Sequence, residues 1–399
     1  MRNTYFRLLT TGVRLMPMLR TGEGGTGPVT IGVEEEYLLV DPVSRQVSTE
    51  ADKVVASAAA ALGDRVTTEI TRYQIEVRTD PHTSLTDLAG QLRETRAAVA
   101  HAAAGLGLRI ISSGTPVLGQ HVPTPITPGP RYARSVATFR ALDDEQSACA
   151  CHVHVGVPDE TTAVLLSNHL RPWLPALIAL TANSPYWNAQ DTGYASWRTV
   201  NWSRWPVAGP PPYFESHAHF RDLVDGLTRA GALIDRGGLY WDIRPSHHVP
   251  TLEVRIADAA PTVDDTVLLA GCVKALATTA LAAVRRARPA PRPRPEMLRA
   301  ACWRAARDGL GGDTVDPHTG RLHSARAHVA RLWKAVPAAL SAEEAALLDT
   351  AAARLRAQGN GAQRQRAAYR RRHHLPDVVD HLIRTATDTD AVPGPPAAG

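Results

Sequence analysis

The sequence predicts an α+β fold, and three observations carry that expectation. Strand-like and helix-like segments alternate irregularly, which does not fit a regular βαβ series. Four short segments place ionisable residues two positions apart among β-branched neighbours, as strands with one polar face do. After the extended connector Arg288 to Pro295, the chain is rich in Ala, Arg and Leu and reads as helix to about Thr387.

Taken in order, Val29 to Val40 is β-branched and halts at Asp41-Pro42, so it reads as a strand entering a turn. Arg72 to Thr79 reads as a second strand, and Ser84 to Ala104 as a helix with Ser84 or Thr86 as its N-cap. Leu108 to Ser113 is expected to be a buried strand. It leads into the Pro/Gly-rich loop Gly114 to Pro130, whose length suits an active-site cover. Arg131 to Asp144 reads as helix, Ala148 to Val157 as strand and Thr161 to Ala182 as one long helix. Asn183 to Pro212, dense in Trp, Pro and Gly, has no clear period. Leu239 to Arg244 and Thr251 to Ala257 are the last strands, and Thr262 to Arg286 is a helix.

The 399 residues, 44% hydrophobic and 21% charged, suffice for a large core. With no internal repeat and no sign of a second core, residues 28–387 are expected to form a single domain, flanked by a disordered extension (1–27) and a flexible tail (388–399). A net charge of +5 does not imply a nucleic-acid partner, because the arginines are scattered. The densest block, Arg364 to His374, reads as a solvated helix face. No run of about 18 apolar residues appears, so no membrane span is expected. Four cysteines are too few for a disulfide scaffold, which suits a cytoplasmic protein.

The chemistry is concentrated on the strands. Glu34 and Glu36 share a face while Glu35 points away; Gln74, Glu76 and Arg78 share a face, as do His152 and His154, and Glu253 and Arg255. Adjacent carboxylates near a core repel and lose hydration, so a cation or arginines must neutralise them. Glu34, Glu36, Glu76 and Glu253 with a histidine make a hard, oxygen-rich set suited to Mg²⁺ or Mn²⁺ rather than zinc. Cys149 and Cys151 point away from His152 and His154, which argues against a tetrahedral zinc site. Arg255 and Arg244 suit phosphate or carboxylate, since a guanidinium grips two oxygens at once. There is no Gly-Lys-Ser/Thr phosphate loop and no Gly-x-Ser-x-Gly elbow.

Thr30 to Pro42 (TIGVEEEYLLVDP), Cys151 to Gly156 (CHVHVG), Asn183 to Trp187 (NSPYW), Leu239 to Ser246 (LYWDIRPS), Thr251 to Asp258 (TLEVRIAD) and Asp316 to Gly320 (DPHTG) together resemble the signature stretches of the glutamate–cysteine ligase type 2 family, the carboxylate–amine ligases. The resemblance implies a curved, mainly antiparallel sheet of the glutamine-synthetase-like type with helices packed outside. It implies an ATP-dependent ligase acting on small molecules, joining a carboxylate, glutamate by analogy, to an amine through an acyl phosphate. It also implies metal ligands at Glu34, Glu36, Glu76, His152 and Glu253, and a phosphate contact at Arg255. His154 and Arg244 are placed by motif among the catalytic groups, and Arg198 with the nucleotide. Glu35 departs from a commonly apolar position. Arg72-Tyr73-Gln74 stands where some relatives offer a further carboxylate, so the number of metal ions stays open. Similar proteins are often homodimers. The competing expectations are a metal-dependent hydrolase, which would turn over without ATP, and a non-catalytic nucleotide-binding relative.

Overall fold

The computed structural model describes residues 27–335 and 339–387. The expected extension, apart from Gly27, and the expected tail lie outside the described residues. The strands are β1 (Ile31–Val40), β2 (Val66–Thr68), β3 (Gln74–Arg78), β4 (Arg109–Ile111), β5 (Ala150–Gly156), β6 (Tyr186–Trp187), β7 (Gln190–Asp191), β8 (Ile243–Pro245), β9 (Thr251–Asp258), β10 (Asp313–Val315) and β11 (Leu322–Ser324). All but the β6–β7 and β10–β11 pairs belong to one seven-stranded sheet in the order β2-β3-β1-β5-β9-β8, with β4 paired to β1 off that path. Every pairing in it is antiparallel. Leu38 pairs with Gln74 on one side and Ile111 on the other, so β4 takes up the edge of β1 that β5 leaves after Glu35.

One face of the sheet is apolar because alternate residues are. Ile31, Val33, Val153, Val155, Leu252 and Val254 pack with the helices Leu85–Gly105, Glu160–Leu170, Leu174–Thr181 and Val263–Arg285. Further along β1, Tyr37 and Leu39 join Ile75 and Val77 against Val54 and Val99. The other face is polar through Glu36, then closes with Leu38 and Val40 against Val378, Val379 and Leu382 of the helix Leu375–Thr387.

The helix Val263–Arg285, capped by the Thr262 side chain on Asp265 N, is long and apolar enough by composition to cross a bilayer. It is instead a core helix: 72% of its apolar window is buried, and its Lys274 pairs with Glu344 at 2.5 Å.

Two expected helices are interrupted. Arg131 to Asp144 is Pro130–Phe139 and Ala141–Asp144, broken at Arg140, whose φ of 53° lies in the left-handed region. Thr161 to Ala182 is Glu160–Leu170 and Leu174–Thr181, separated by a tight turn at Arg171–Trp173 where prolines 172 and 175 lack amide donors. The expected strand Leu239 to Arg244 shrinks to β8. The helices Ala51–Leu62 and His217–Arg229, and the strand β2, had no counterpart in the sequence reading.

Candidate functional site

Register assembles the site on the polar face. Glu34 lies opposite His152, Glu36 opposite Glu76, His154 opposite Glu253, and Glu253 opposite Arg244. A β-bulge sits at its centre: between Cys151 and Val153 the partner on β9 moves from Ala257 to Val254, so Arg255 and Ile256 together oppose His152. The extra residue lets Ile256 and Ala257 both enter the apolar cluster while Arg255 stays with Glu253.

The side chains fall into two groups of candidate metal ligands, Glu34–His154–Glu253 and Glu36–Glu69–Glu76, with ligand atoms in each within 4.8 Å of one another. His152 stands between them. Its Nδ1 is 3.0 Å from Glu34 and 3.8 Å from Glu253, and its Nε2 is 3.9 Å from Glu36. That Nε2 is buried and has no hydrogen-bond partner among the described residues. His154 Nε2 lies 3.2 Å from Glu34, while its Nδ1 meets Thr251 Oγ1 at 2.8 Å. All five expected ligands thus line this face, and His154 is placed with them. Glu69 was missed. It lies in the β2–β3 connection, and Thr67 pairs with Glu76, so recognising that hairpin would have put residue 69 on the same face.

The two groups differ electrostatically. Burial alone would raise Glu34, but His154 and His152 more than offset it and hold its carboxyl well below the usual range. Burial likewise opposes ionisation of Glu253, and Arg244 and Arg255 overcome it. In the second group burial and mutual repulsion dominate. Glu36 is pushed up to about 8 by burial and Glu69, Glu76 is raised well above its ordinary value by burial and the surrounding glutamates, and Glu69 is raised by burial. Burial and Arg255 depress His152 to about 4, so its imidazole is neutral and can donate a lone pair. A hard divalent cation fits this set: oxygen-rich donors, a neutral imidazole with a free nitrogen, and carboxyls that need an opposing charge to ionise.

This has a measurable consequence. At pH 7 the Glu36 group retains protons that a divalent cation must displace, so magnesium binding is expected to release about one proton. Calorimetry in buffers of different ionisation enthalpy counts it. A raised carboxyl stabilises the fold below its unfolded pKa, and that contribution is lost as pH climbs through the folded value. Burial holds His152, His247, His328 and His381 down to about 4, which favours the fold as pH rises to about 6.5 and opposes that loss, so the metal-free melting temperature should fall between about pH 6.5 and 8, and magnesium should flatten the decline. Glu34 and Glu253 act in the opposite sense, but only in acid, below about pH 4.5.

The arginines divide by what their donors already do. Arg244 spends Nε and Nη2 on Glu253 (2.8 and 3.3 Å) and Nη1 on the carbonyls of Gly237 and Leu239. Arg255 Nη1 meets Glu253, leaving a buried Nε without a partner among the described residues. Arg198 donates to the carbonyls of Ile256 (3.3 Å) and Arg255 (3.0 Å), holding the bulge in place, and its Nε is also free.

The surrounding segments are tied to the sheet. Asp258, at the end of β9, accepts from Asn183 N, Ser184 Oγ and Ser196 Oγ at 2.7–2.8 Å, anchoring the Asn183–Trp187 stretch. The Gly114 to Pro130 loop is pinned to the turn that carries Glu69: Thr127 Oγ1 donates to the Glu69 carbonyl at 2.5 Å and Thr127 N to Ile70 O at 2.8 Å. All four cysteines are free and buried; Cys151 and Cys149 sit in apolar clusters rather than with the histidines.

The profile of glutamate-cysteine ligase family 2 matches residues 30–382. The chain belongs to this family. Relatives carrying the provisional name glutamate–cysteine ligase 2-1 are 46% identical over 375 residues in Saccharopolyspora erythraea, covering 92% of this chain and 97% of the relative, and 44% identical over 371 residues in Nocardia farcinica, covering 93% and 96%. Among solved structures, a glutamate–cysteine ligase from Francisella tularensis in complex with AMP superposes with a TM-score of 0.64 at 14% identity, over 90% of this chain and 89% of that one. A bifunctional glutathione synthetase from Pasteurella multocida gives 0.66 at 13% identity, over 90% of this chain and 53% of that one. The fold is thus of the glutamine-synthetase-like type, and glutamate-cysteine ligase family 2 is a family of ATP-dependent carboxylate–amine ligases.

Proposed function

We propose that this family member uses magnesium-bound ATP to activate the side-chain or α-carboxylate of an amino acid, glutamate in the first instance, and then joins it to an amine, cysteine or another. One observation carries the reading: two carboxylate-rich groups on a single sheet face, bridged by a neutral histidine with a free nitrogen. Glu34, His154 and Glu253 would hold one ion and Glu36, Glu69 and Glu76 a second. Magnesium, or manganese in its place, supplies neutralisation of the nucleotide phosphates.

Phosphoryl transfer needs little covalent help from protein, so the chain's part is positioning and charge. Arg255, anchored through Nη1 on Glu253, directs its free Nε toward an anionic group; Arg198 offers a second Nε from behind the bulge. Arg244 keeps Glu253 ionised and oriented. The substrate carboxylate attacks the γ-phosphorus, ADP leaves, and the amine displaces phosphate from the acyl phosphate. Family membership sets the metal-dependent hydrolase aside.

The test is ADP release from ATP and magnesium across a panel of acids and amines. Sustained ADP release is expected only when metal, acid and amine are all present, with glutamate among the productive acids. Failure with glutamate under every amine would retire glutamate; failure with every pair would leave a nucleotide-binding relative without ligase chemistry.

A further inference from the structure

We propose that Gln74 sets the cation selectivity of the second carboxylate group. By occupying one oxygen of Glu36, its amide confines Glu36 to single-oxygen coordination, which favours magnesium or manganese over calcium. This rests on the reading of Glu36, Glu69 and Glu76 as an ion site and adds to it the residue that decides which ion enters.

By strand period Gln74 shares a face with Glu76, so spacing alone does not separate it from the ligands. Its hydrogen bonds do. Gln74 is 1% exposed and pairs with Leu38 of β1, and its side chain reaches past that strand to the segment entering β5. There Nε2 donates to Glu36 Oε2 at 2.6 Å and to Ala148 O at 3.0 Å, while Oε1 accepts from Thr71 Oγ1 at 3.1 Å. These partners dictate which way the amide faces: turned over, its oxygen would meet a carboxylate and a carbonyl together. With both N–H groups committed in this way, Gln74 acts on Glu36 and is not a further ligand.

The arrangement follows from where the β1–β5 ladder stops. Its last pair is Glu35 with Cys151. Buried backbone groups need partners, and beyond that pair side chains supply them. Ala150 N donates to Glu36 Oε2 at 2.7 Å, and Ala148 O accepts from Gln74. Gln74 is held in turn from the far side, since its own N–H donates to Thr71 O at 3.1 Å and Thr71 bridges to Ile126 of the Gly114 to Pro130 loop.

Glu36 Oε2 therefore accepts two hydrogen bonds, one for each of its lone pairs. Oε1 accepts none from the described residues and lies 3.9 Å from the His152 Nε2 that has no partner among them. One oxygen of Glu36 is left for a cation. Magnesium is small, demands near-octahedral geometry and is served by single oxygens, whereas calcium gathers about six to eight oxygens and readily takes two from one carboxylate. Withholding Oε2 deprives calcium of a ligand and leaves magnesium with the one it uses. Releasing Oε2 reverses the advantage, because Glu36 can then turn and chelate.

Calorimetric titration of the metal-free, full-length protein with magnesium and with calcium tests this. Glu36→Gln identifies the binding step that belongs to the second group, because that step should be lost. At that step Gln74→Met, which keeps the length of the side chain and removes its donors, should weaken magnesium by about 10–100-fold and lower the magnesium-to-calcium affinity ratio by about tenfold or more. Gln74→Glu keeps the shape and puts an oxygen where the donor was, so it should move the ratio the same way, and it stands in should Gln74→Met not fold by circular dichroism. Equal losses for the two ions, leaving the ratio where it was in the folded variant, would make Gln74 structural and overturn the assignment. A Glu36→Gln protein that keeps every binding step of the wild type would instead overturn the ion site on which the inference rests.

Discussion

Glu34→Gln should lower ADP formation by about 10²–10³-fold while leaving the fold intact, the size of effect seen when one preorganised charge is removed from a transition-state site. Glu34 is the acid on which both histidines converge: His152 Nδ1 at 3.0 Å on one oxygen, His154 Nε2 at 3.2 Å on the other, with Glu253 in the same ligand group. Glutamine keeps the size of the side chain and an oxygen for His152, so the strand has no reason to shift. What disappears is the negative charge that the histidines hold ionised, and with it one hard ligand. Magnesium affinity should weaken by about 10–100-fold in a calorimetric titration, a loss comparable to that of orienting groups around metals. Unchanged magnesium affinity together with retained turnover would remove Glu34 from the metal site. A protein that no longer folds would be exposed by circular dichroism before any kinetic comparison is made.

The polar face was legible because a strand's period is two, and because four segments repeated it. Glu34, Glu36, Glu76, His152 and Glu253 all followed from spacing or motif without knowledge of which strands are neighbours. Neighbours decide the rest. Glu69 is in a connection rather than a periodic run, and only the β2–β3 pairing turns it toward Glu36 and Glu76. The bulge at Arg255 and Ile256 has no signature in TLEVRIAD, since an inserted residue is defined by the partner strand that lacks it. The interrupted helices were missed for a different reason. Arg140 adopts a left-handed conformation that its residue type does not announce, whereas the second break falls at Pro172, whose residue type does announce one.

Arg96→Met is expected to destabilise the protein by about 3–5 kcal/mol, because it strands the Glu35 carboxylate in the core. Glu35 is the middle acid of the Glu34–Glu36 run and turns to the apolar side, where it is 2% exposed. There Arg96 Nη2 lies 2.5 Å from its Oε1, and the hydroxyls of Thr266 and Tyr37 donate to it at 2.5 Å each. Arg96 also donates to the carbonyls of Ala260 (3.2 Å) and Pro261 (3.1 Å), just beyond β9. The pair therefore fastens β1 and the exit of β9 from behind, opposite the faces that carry Glu34, Glu36 and Glu253. Replacing both partners with apolar residues of similar size removes the stranded charge, so Glu35→Leu with Arg96→Met should recover most of the stability that the single change costs. It should not recover the site, because the tie between the two strands is gone while the ligands remain. Urea unfolding over the double-mutant cycle measures the first effect, and magnesium titration of the refolded double variant measures the second. If the double variant binds magnesium as the wild type does, the buried pair serves stability alone, and the spacing of the site is held by the strand ladder without it.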